Sequence, residues 1–413
     1  MKQDIYNIPE GYKNSPLGII PNEWEVERLG NIVSITSGES PSLYTLTSHG
    51  KYPFIKVEDM NNCEKYQIRS REYSNDEKNI IHKESIIFPK RGAAILNNKV
   101  RIAKVDIQMD SNMMAIKPNN KVLPEYLFYS ITFEQLFRIA DTSTIPQINN
   151  KHINPYKILL PPLNEQRKIA EVLSTWDRAI EKQTLLVEKL ELRKKGLMQQ
   201  LLTGKKRLHG FSEEWNTVKL NDLGFFFKGM GVPKDKVNAE GKYKCLTYGD
   251  LYTKYEIKID NVKTYISQDI ANISQEIQYG DICFAGSGET KEDIGKCAVF
   301  LDGKIGYVGG DIIVFRKSLN INSLFLSYDL NTEYVNKQKY SLGQGHSVVH
   351  IYISQLEQIT IYLPGIEEQN AIAEILSVCD NEISLAKQKL DTLRQQKKGL
   401  MQVLLTGKKR VEL

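Results

Sequence analysis

Two long stretches of the chain place apolar residues at spacings that alternate between four and three. This alternation keeps one stripe of a helix apolar, which predicts the seam of a coiled coil. A helix of about 40 residues is about 60 Å long, so each stripe needs an equally long partner. The predicted seam residues are Ile169, Leu173, Trp176, Ile180, Val187, Leu190, Leu197 and Leu201, then Ile372, Leu376, Cys379, Ile383, Leu390, Leu393, Leu400 and Leu404.

Polar residues interrupt the first stripe at Gln183 and Lys194. Such residues usually fix the register of a coiled coil at a cost in stability. A glycine follows each stretch, Gly204 in the first and Gly407 in the second, with lysines around it. These glycines predict the ends of the two helices.

The two helical stretches are copies of one another. Residues 160–207 match residues 363–410 without a gap, at an offset of 363 − 160 = 203, and both copies contain KKGLMQ and LLTGKKR. Weaker matches lie upstream, where Trp24 corresponds to Trp215 and residues 86–88 correspond to 282–284. A self-match of this length indicates an internal duplication.

The segments between the helices show a strand-like pattern. Residues of about 20–155 and 212–358 contain short apolar runs separated by Gly, Asn, Asp and Ser, with one helical stretch in each, at 124–139 and 323–336. We therefore predict an α/β (α+β) fold for both segments. The predicted limits are 1–158 and 208–361 for the two α/β domains, and 159–207 and 362–413 for the two helical regions.

The linkers predict how the helices pair. The first helix leaves the first domain and enters the second domain after a short connection at 205–211. The second helix must then fold back, because the only complementary apolar stripe in the chain is the first helix. We expect two long antiparallel helices, a domain at each end, and an internal pseudo-twofold repeat.

Composition narrows the class of protein. The net charge of +5 over 413 residues is small for a non-specific DNA-coating protein, so any DNA contact should be local. The five cysteines form no C-x-x-C pair, which argues against a disulfide framework or a zinc site and favours a reducing cytoplasm. No apolar stretch approaches the length of about 20 residues that a membrane-spanning helix needs.

Loops in both domains carry the residue types that bind phosphates and base edges. For any single loop residue, a solvated surface position is the simpler interpretation, and the clusters are the better evidence. The predicted DNA-contacting residues are Lys90, Arg91, Asn97, Asn98, Lys99 and Arg101 in the first domain, and Lys291, Lys296, Gln344 and His346 in the second.

Four patterns resemble catalytic motifs, and none has the required context. Residues 284–288 (FAGSG) resemble a glycine loop for S-adenosylmethionine, and residues 154–156 (NPY) resemble part of an adenine-methyltransferase motif, but the two lie in different domains. The TGKK at 203–206 lacks the glycine spacing of a phosphate loop. His346 and His350 lack a third metal ligand. We predict no catalytic residues and no metal site.

The helical motifs resemble those of a known family. The LPPLNEQ at 160–166, the IAEVLS at 169–174, and the KKGLMQ and LLTGK ending are similar to the conserved regions of type I restriction–modification specificity subunits. The opening GYK, SPLG and IP before Trp24 resembles the start of the same family. The resemblance covers the whole chain, and its helical motifs occur twice.

Several expectations follow from this resemblance. Each α/β domain would be a target-recognition domain that reads one half of a bipartite, asymmetric site in double-stranded DNA. The helices would space the half-sites and dock two methyltransferase subunits, and two restriction subunits would complete the enzyme. The chain itself would bind no cofactor, since the partner subunits would use S-adenosylmethionine, ATP and Mg²⁺.

Two other functions agree with the pattern. A free-standing DNA-binding regulator would bind its site tightly without a partner. A coiled-coil scaffold between two interaction modules would show no salt-dependent DNA binding.

Overall fold

The computed structural model describes residues 8–288, 294–344 and 349–412. The chain divides into two units. The first comprises Met1–Thr184 and Gln388–Leu413, and the second comprises Leu185–Lys387. Each unit therefore contains one of the predicted α/β domains together with parts of both long helices.

The first unit is a mixed α/β structure. Its strands are β1 (Tyr12–Ser15), β2 (Gly18–Pro21), β3 (Glu25–Arg28), β4 (Val33–Ser37), β5 (Tyr52–Ile55), β6 (Tyr66–Gln67), β7 (Tyr73–Ser74), β8 (Ile86–Pro89), β9 (Arg101–Ala103), β10 (Gln108–Met109), β11 (Met113–Pro118) and β12 (Lys157–Leu160). Its helices are α1 (Leu29–Ile32), α2 (Pro124–Glu134), α3 (Leu136–Ile139), α4 (Asn150–Ile153) and the first part of α5 (Leu163–Leu201).

A five-stranded sheet organises this unit. Its strand order is β4-β11-β8-β9-β6, and all neighbours are antiparallel except the parallel pair β9 and β6. A smaller sheet has the order β10-β5-β7. All four residues of β5 and of β8 are buried, which explains why these strands read as unbroken apolar runs in the sequence.

The second unit contains a corresponding set of elements. Its strands are β13 (Asn216–Lys219), β14 (Gly224–Lys228), β15 (Tyr243–Leu246), β16 (Lys258–Ile259), β17 (Tyr265–Ile266), β18 (Gln275–Gln278), β19 (Ile282–Ala285), β20 (Ser287–Gly288), β21 (Cys297–Phe300), β22 (Ile305–Val308), β23 (Ile312–Lys317), β24 (Val349–His350) and β25 (Thr360–Leu363). Its helices are α6 (Leu220–Leu223), α7 (Tyr248–Lys254), α8 (Gln268–Asn272), α9 (Ser323–Leu330), α10 (Glu333–Leu342), α11 (Ile353–Leu356) and the first part of α12 (Ile366–Leu404).

The two units share one topology. The five-stranded sheet of the second unit has the order β14-β23-β19-β21-β16, with the same antiparallel pairs and the same single parallel pair at its edge. The short pair β13–β25 repeats the antiparallel pair β3–β12. The duplication predicted from the sequence therefore extends through both α/β domains, and the predicted fold class is confirmed.

Both long helices form, and each is 39 residues long. In the first unit, Ile169 and Leu173 near the start of α5 share a core with Met401 and Leu404 at the end of α12. In the second unit, Leu201 at the end of α5 shares a core with Ile372 and Leu376 near the start of α12. Within each unit the two helices are therefore antiparallel, as predicted.

The helices end where the glycines indicated. Gly204 and Gly407 adopt left-handed φ values of 66° and 70°, and their amides donate to the carbonyls of Leu201 and Leu404. All the predicted seam residues are at least half-buried. Those that are fully buried are Ile169, Leu173, Val187, Leu201, Ile372, Leu376, Cys379, Ile383, Leu390 and Leu404.

Candidate nucleic-acid interface

The loop between β8 and β9 carries most of the DNA-contacting residues predicted in the first unit. Arg91 and Asn97 are exposed, and Lys90 and Lys99 are half-buried. Cationic and amide side chains on a surface loop are suited to phosphates and base edges. Their contact with DNA stays a prediction.

Asn98 and Arg101 direct their polar groups into the domain instead. The Asn98 amide donates to the carbonyl oxygen of Thr132 at 2.9 Å and accepts from the amide of Leu136 at 2.9 Å. Arg101 donates to the carbonyl oxygens of Val100 and Met60 at 2.8 and 2.9 Å. The structure thus gives both residues a role in holding the loop, and DNA contact by either stays a prediction.

The bonds of Asn98 also explain an error in the predicted secondary structure. The prediction of a single helix at 124–139 is wrong. The helix is interrupted at Gln135, which has a φ of +65°. The Asn98 side chain bonds to backbone groups on both sides of this break. The stretch at 323–336 is also divided, into α9 and α10, but at Asn331 and Thr332, whose φ values of −103° and −72° are negative.

Replacing Asn98 by alanine should destabilise the first unit. The change leaves the Thr132 carbonyl and the Leu136 amide without this partner, and orphaned backbone groups cost about 1–3 kcal/mol. Urea unfolding checks the loss. The neighbouring substitution Asn97→Ala is the matched control, since Asn97 is exposed and should change the free energy of unfolding by less than about 0.5 kcal/mol. Equal losses from both variants would contradict the role assigned to Asn98.

Among the DNA-contacting residues predicted in the second unit, one bonds within its own domain and another is exposed. Lys296 donates to the carbonyl oxygen of Tyr252 at 2.8 Å, and its ammonium lies 5.9 Å from the centre of that ring. Gln344 is exposed. Lys291 and His346 lie outside the described residues.

Each unit also contains a buried ionic junction where its two long helices meet. In the first unit, the Glu165 carboxylate accepts from Trp24 Nε1 at 2.9 Å and from Arg410 Nε and Nη2 at 2.6 and 2.9 Å. In the second, Glu368 accepts from Trp215 Nε1 at 3.0 Å and from Arg207 at 2.8 and 2.7 Å. Hydrogen bonding by the carboxylates raises the pKa of Arg207 and of Arg410. The motifs that match between the two copies therefore supply the charged residues of this junction.

The seam residue Lys194 and its repeat counterpart Lys397, at an offset of 203, belong to a second repeated cluster. Lys397 lies 2.5 Å from Asp177, which also accepts a hydrogen bond from the Tyr129 hydroxyl. In the second unit, Lys194 pairs with Asp380, which accepts from the Tyr328 hydroxyl at 2.5 Å. Tyr129 belongs to α2 and Tyr328 to α9, so in each unit this cluster ties an α/β domain to both long helices.

Lys65 adds a cation to the first cluster. Its ammonium donates to the Tyr129 hydroxyl at 2.9 Å and to Ser174 at 2.7 Å, and lies 4.6 Å from the centre of the Tyr129 ring. Burial, reinforced by the positive charges of Lys397 and Arg178, lowers the pKa of Lys65 to about 8 despite the opposing effect of nearby carboxylates. No signal in the sequence distinguished Lys65 from the other lysines.

The stability of the first unit should therefore rise with pH near pH 8–10. In the unfolded chain a lysine has a pKa of about 10.4, whereas folded Lys65 has a pKa of about 8. Between these values the unfolded state binds more protons, so the free energy of unfolding increases with pH. Urea unfolding at pH 7.5 and 9.5 measures the rise. Lys65→Met should abolish this contribution, whereas Lys104→Met, at an exposed lysine beside the Tyr66 ring, should retain it. An unchanged rise in Lys65→Met would contradict the titration.

Two of the four patterns that resembled catalytic motifs contribute to the packing and hydrogen bonding of their domains. Phe284 and Ala285 are buried in β19. The Tyr156 hydroxyl donates to Glu134 at 2.8 Å. Across residues 8–288, 294–344 and 349–412 no group of three or more His, Cys, Asp or Glu side chains could hold a metal ion. In the same part of the chain, no helix has the length and apolar character needed to cross a membrane.

Comparison with known proteins gives one consistent result. A model of the type I restriction modification DNA specificity domain matches residues 21–190 and 212–395. The chain is 29% identical to the specificity subunit of the type I restriction enzyme MjaVIII of Methanocaldococcus jannaschii, over 95% of this chain and 94% of that protein. It is 28% identical to the putative MjaX specificity subunit of the same organism, over 98% and 97%.

Solved structures show a similar fold. The S subunit of a type I restriction-modification system from M. genitalium superposes with a TM-score of 0.58 at 17% identity, covering 92% of this chain and 96% of that one. A structure that addresses complex assembly and conformational transition of a type I system also gives 0.58 at 17% identity, covering 94% and 99%.

Proposed function

Because the chain belongs to the family of type I restriction–modification DNA specificity proteins, we propose that its two α/β domains read the two halves of a bipartite, asymmetric DNA site. The observation that carries the proposal is that the two domains share one topology but differ in their loops. One five-stranded sheet order occurs twice, whereas the loop after β8 carries Lys90, Arg91 and Asn97 and the equivalent loops of the second unit carry other residues. Two different reading surfaces on one frame suit two different half-sites.

The helices would set the distance between the half-sites. A helix of 39 residues is about 58 Å long, which corresponds to about 17 base pairs of duplex. Fixing two readers at one separation raises the effective concentration of the second once the first has bound. Each domain could then bind its half-site weakly while the whole chain binds the full site tightly.

The helices would also dock the partner subunits. Exposed apolar side chains in the second unit support this role: Leu185 and Leu192 on α5 and Val378 and Leu385 on α12 are exposed to 49%, 71%, 52% and 65%. Residues 185 and 192 are seven apart, as are 378 and 385, so each pair lies on one face of its helix, and exposed apolar faces are typical of protein interfaces. The proposed partners are two methyltransferase and two restriction subunits. Chemistry would reside in those subunits, which would use S-adenosylmethionine, ATP and Mg²⁺, and the assembled enzyme would act in the cytoplasm.

A selection from random duplexes tests the proposal. The chain alone and the chain with its methyltransferase are each used to capture 40-base-pair random DNA at about 50 and 200 mM salt, and the captured pools are sequenced. We expect the complex to enrich two fixed half-sites at one gap, with salt-sensitive binding. Equal enrichment by the chain alone would identify a free-standing regulator. Absence of enrichment and of salt dependence with the methyltransferase present would identify a scaffold.

A further inference from the structure

A short antiparallel ribbon lies beside the loop after β8 in the first unit. Asp141 and Gln147 exchange two backbone hydrogen bonds of 2.9 Å, and Arg91 is the antiparallel bridge partner of Gln147 on its other side. Arg91, Gln147 and Asp141 therefore lie side by side on three adjacent strands. Residues directly opposite in an antiparallel pair project to the same face, so Arg91, Gln147 and Asp141 form one row.

The second unit contains the same ribbon at equivalent positions. Gln344 and His350 exchange backbone hydrogen bonds of 2.9 and 2.8 Å, and Ser287 of β20 pairs with His350. The helix repeat has an offset of 203, and this offset relates Gln147 to His350 and Asp141 to Gln344. The second row is therefore Ser287, His350 and Gln344.

The ribbons are anchored to the domain by matching bonds. The amide of Ile148 donates to the carbonyl oxygen of Lys90 at 2.9 Å, and the amide of Ile351 donates to that of Gly286 at 3.0 Å. Both isoleucines are buried, with exposed fractions of 0% and 2%. In the first ribbon, Asp141 also accepts from the Ser143 amide and hydroxyl at 3.0 and 2.7 Å, which fixes the turn. The backbone under each row is thus held in place.

The side chains of the two rows differ at every position. Arg91 is replaced by Ser287, Gln147 by His350, and Asp141 by Gln344. Arg91, His350 and Gln344 are exposed, and the other three are half-buried. Ser287 Oγ and His350 Nδ1 lie 3.1 Å apart, which orients the imidazole. A common backbone therefore presents two distinct sets of hydrogen-bonding groups.

We infer that these two rows are the elements that select bases, one row for each half-site. The inference rests on the proposed function and deepens it by assigning residues. The two-stranded ribbon that carries Asp141 and Gln147 has a width that the major groove of B-DNA admits, and Arg91 lies on the strand next to Gln147. In that groove an arginine pairs with guanine O6 and N7, and a glutamine pairs with adenine N6 and N7. Arg91 is assigned to a guanine and Gln147 to an adjacent adenine. The second row contains no arginine or lysine, so the base sequence of its half-site differs from that of the first half-site.

The test uses the chain in complex with its methyltransferase and reads the adenine-methylation motif of genomic DNA. Arg91→Ala and Gln147→Ala should each relax one position of the same half-site by about 5- to 150-fold. His350→Ala should relax only the other half-site, and the gap should stay constant in all three. Arg69→Ala, at an exposed arginine of the first unit next to β6, is the matched control and should leave the motif unchanged.

The outcomes separate this assignment from the proposed function. A wild-type complex that deposits no chain-dependent bipartite motif overturns the proposed function. A wild-type motif that persists unaltered in Arg91→Ala and Gln147→Ala overturns only the assignment of the row. Uniform loss of methylation at every site, with an unchanged melting temperature, also overturns it, because the row would then supply affinity without selection.

Discussion

Replacing Glu165 by alanine should lower the stability of the first unit by about 3–5 kcal/mol, which is the usual cost of removing one partner from a buried ion pair. The Glu165 carboxylate is 1% exposed and is the acceptor for both Trp24 Nε1 and the Arg410 guanidinium. Trp24 is fully buried, so its indole N–H would lose its acceptor inside the core. Arg410 is partly exposed and keeps its bond to Glu23, which holds the loss within this range.

Hydrogen exchange measured by mass spectrometry reports this effect for each unit separately. Protection of the amides in β8 and α2 should fall by two orders of magnitude or more, a factor of ten for about every 1.4 kcal/mol. The strands β19 and β23 of the second unit should keep their protection. Glu368→Ala should produce the reverse pattern, since Glu368 forms the equivalent junction with Trp215 and Arg207. The exposed Glu171→Ala on α5 is the control, and a loss equal to that of Glu165→Ala would contradict the account.

Removing one heptad from each long helix should shorten the gap between the half-sites by about three base pairs. Deleting residues 184–190 and 387–393 removes seven residues from each helix, or about 10 Å at 1.5 Å per residue, against about 3.4 Å per base pair. A deletion of seven preserves the phase of the seam. The half-sites should stay the same, because neither α/β domain is altered.

Methylation motifs of the shortened and full-length chains, each with its methyltransferase, measure this effect. Deleting residues 184–190 alone is the matched control. It leaves helices of unequal length, disturbs the pairing of Lys194 with Asp380 and of Lys397 with Asp177, and should abolish methylation. If the double deletion altered the half-sites and kept the gap, the helices would not act as a spacer.

The long helices and the duplication were predictable from sequence because their signals are periodic and local. An apolar stripe is visible in any window of two or three heptads, and the glycines at 204 and 407 mark where it stops. Strands such as β8 and β19 were predictable for a similar reason, since each is a short run of apolar residues between polar ones.

The roles of the loop residues were not predictable, because their partners are distant in sequence. Asn97 and Asn98 are chemically identical neighbours, yet Asn98 bonds to Thr132 and Leu136, which are 34 and 38 residues away. Arg91 and Arg101 also differ, because Arg91 is exposed whereas Arg101 donates to the carbonyl oxygen of Met60, 41 residues away. Gln147, Asp141, Ser287 and His350 were missed as a set, because the rows form only when the chain brings Arg91 beside Gln147 and Ser287 beside His350.

Genome-wide adenine methylation, compared between cells that carry the chain and cells that lack it, tests the central claim most directly. With the methyltransferase present in both, we expect a methylated motif of two different half-sites at one fixed gap, found only when the chain is present. A bipartite motif that persists without the chain, or a motif with a single half-site when it is present, would contradict the claim that this protein reads the DNA sequence for its enzyme.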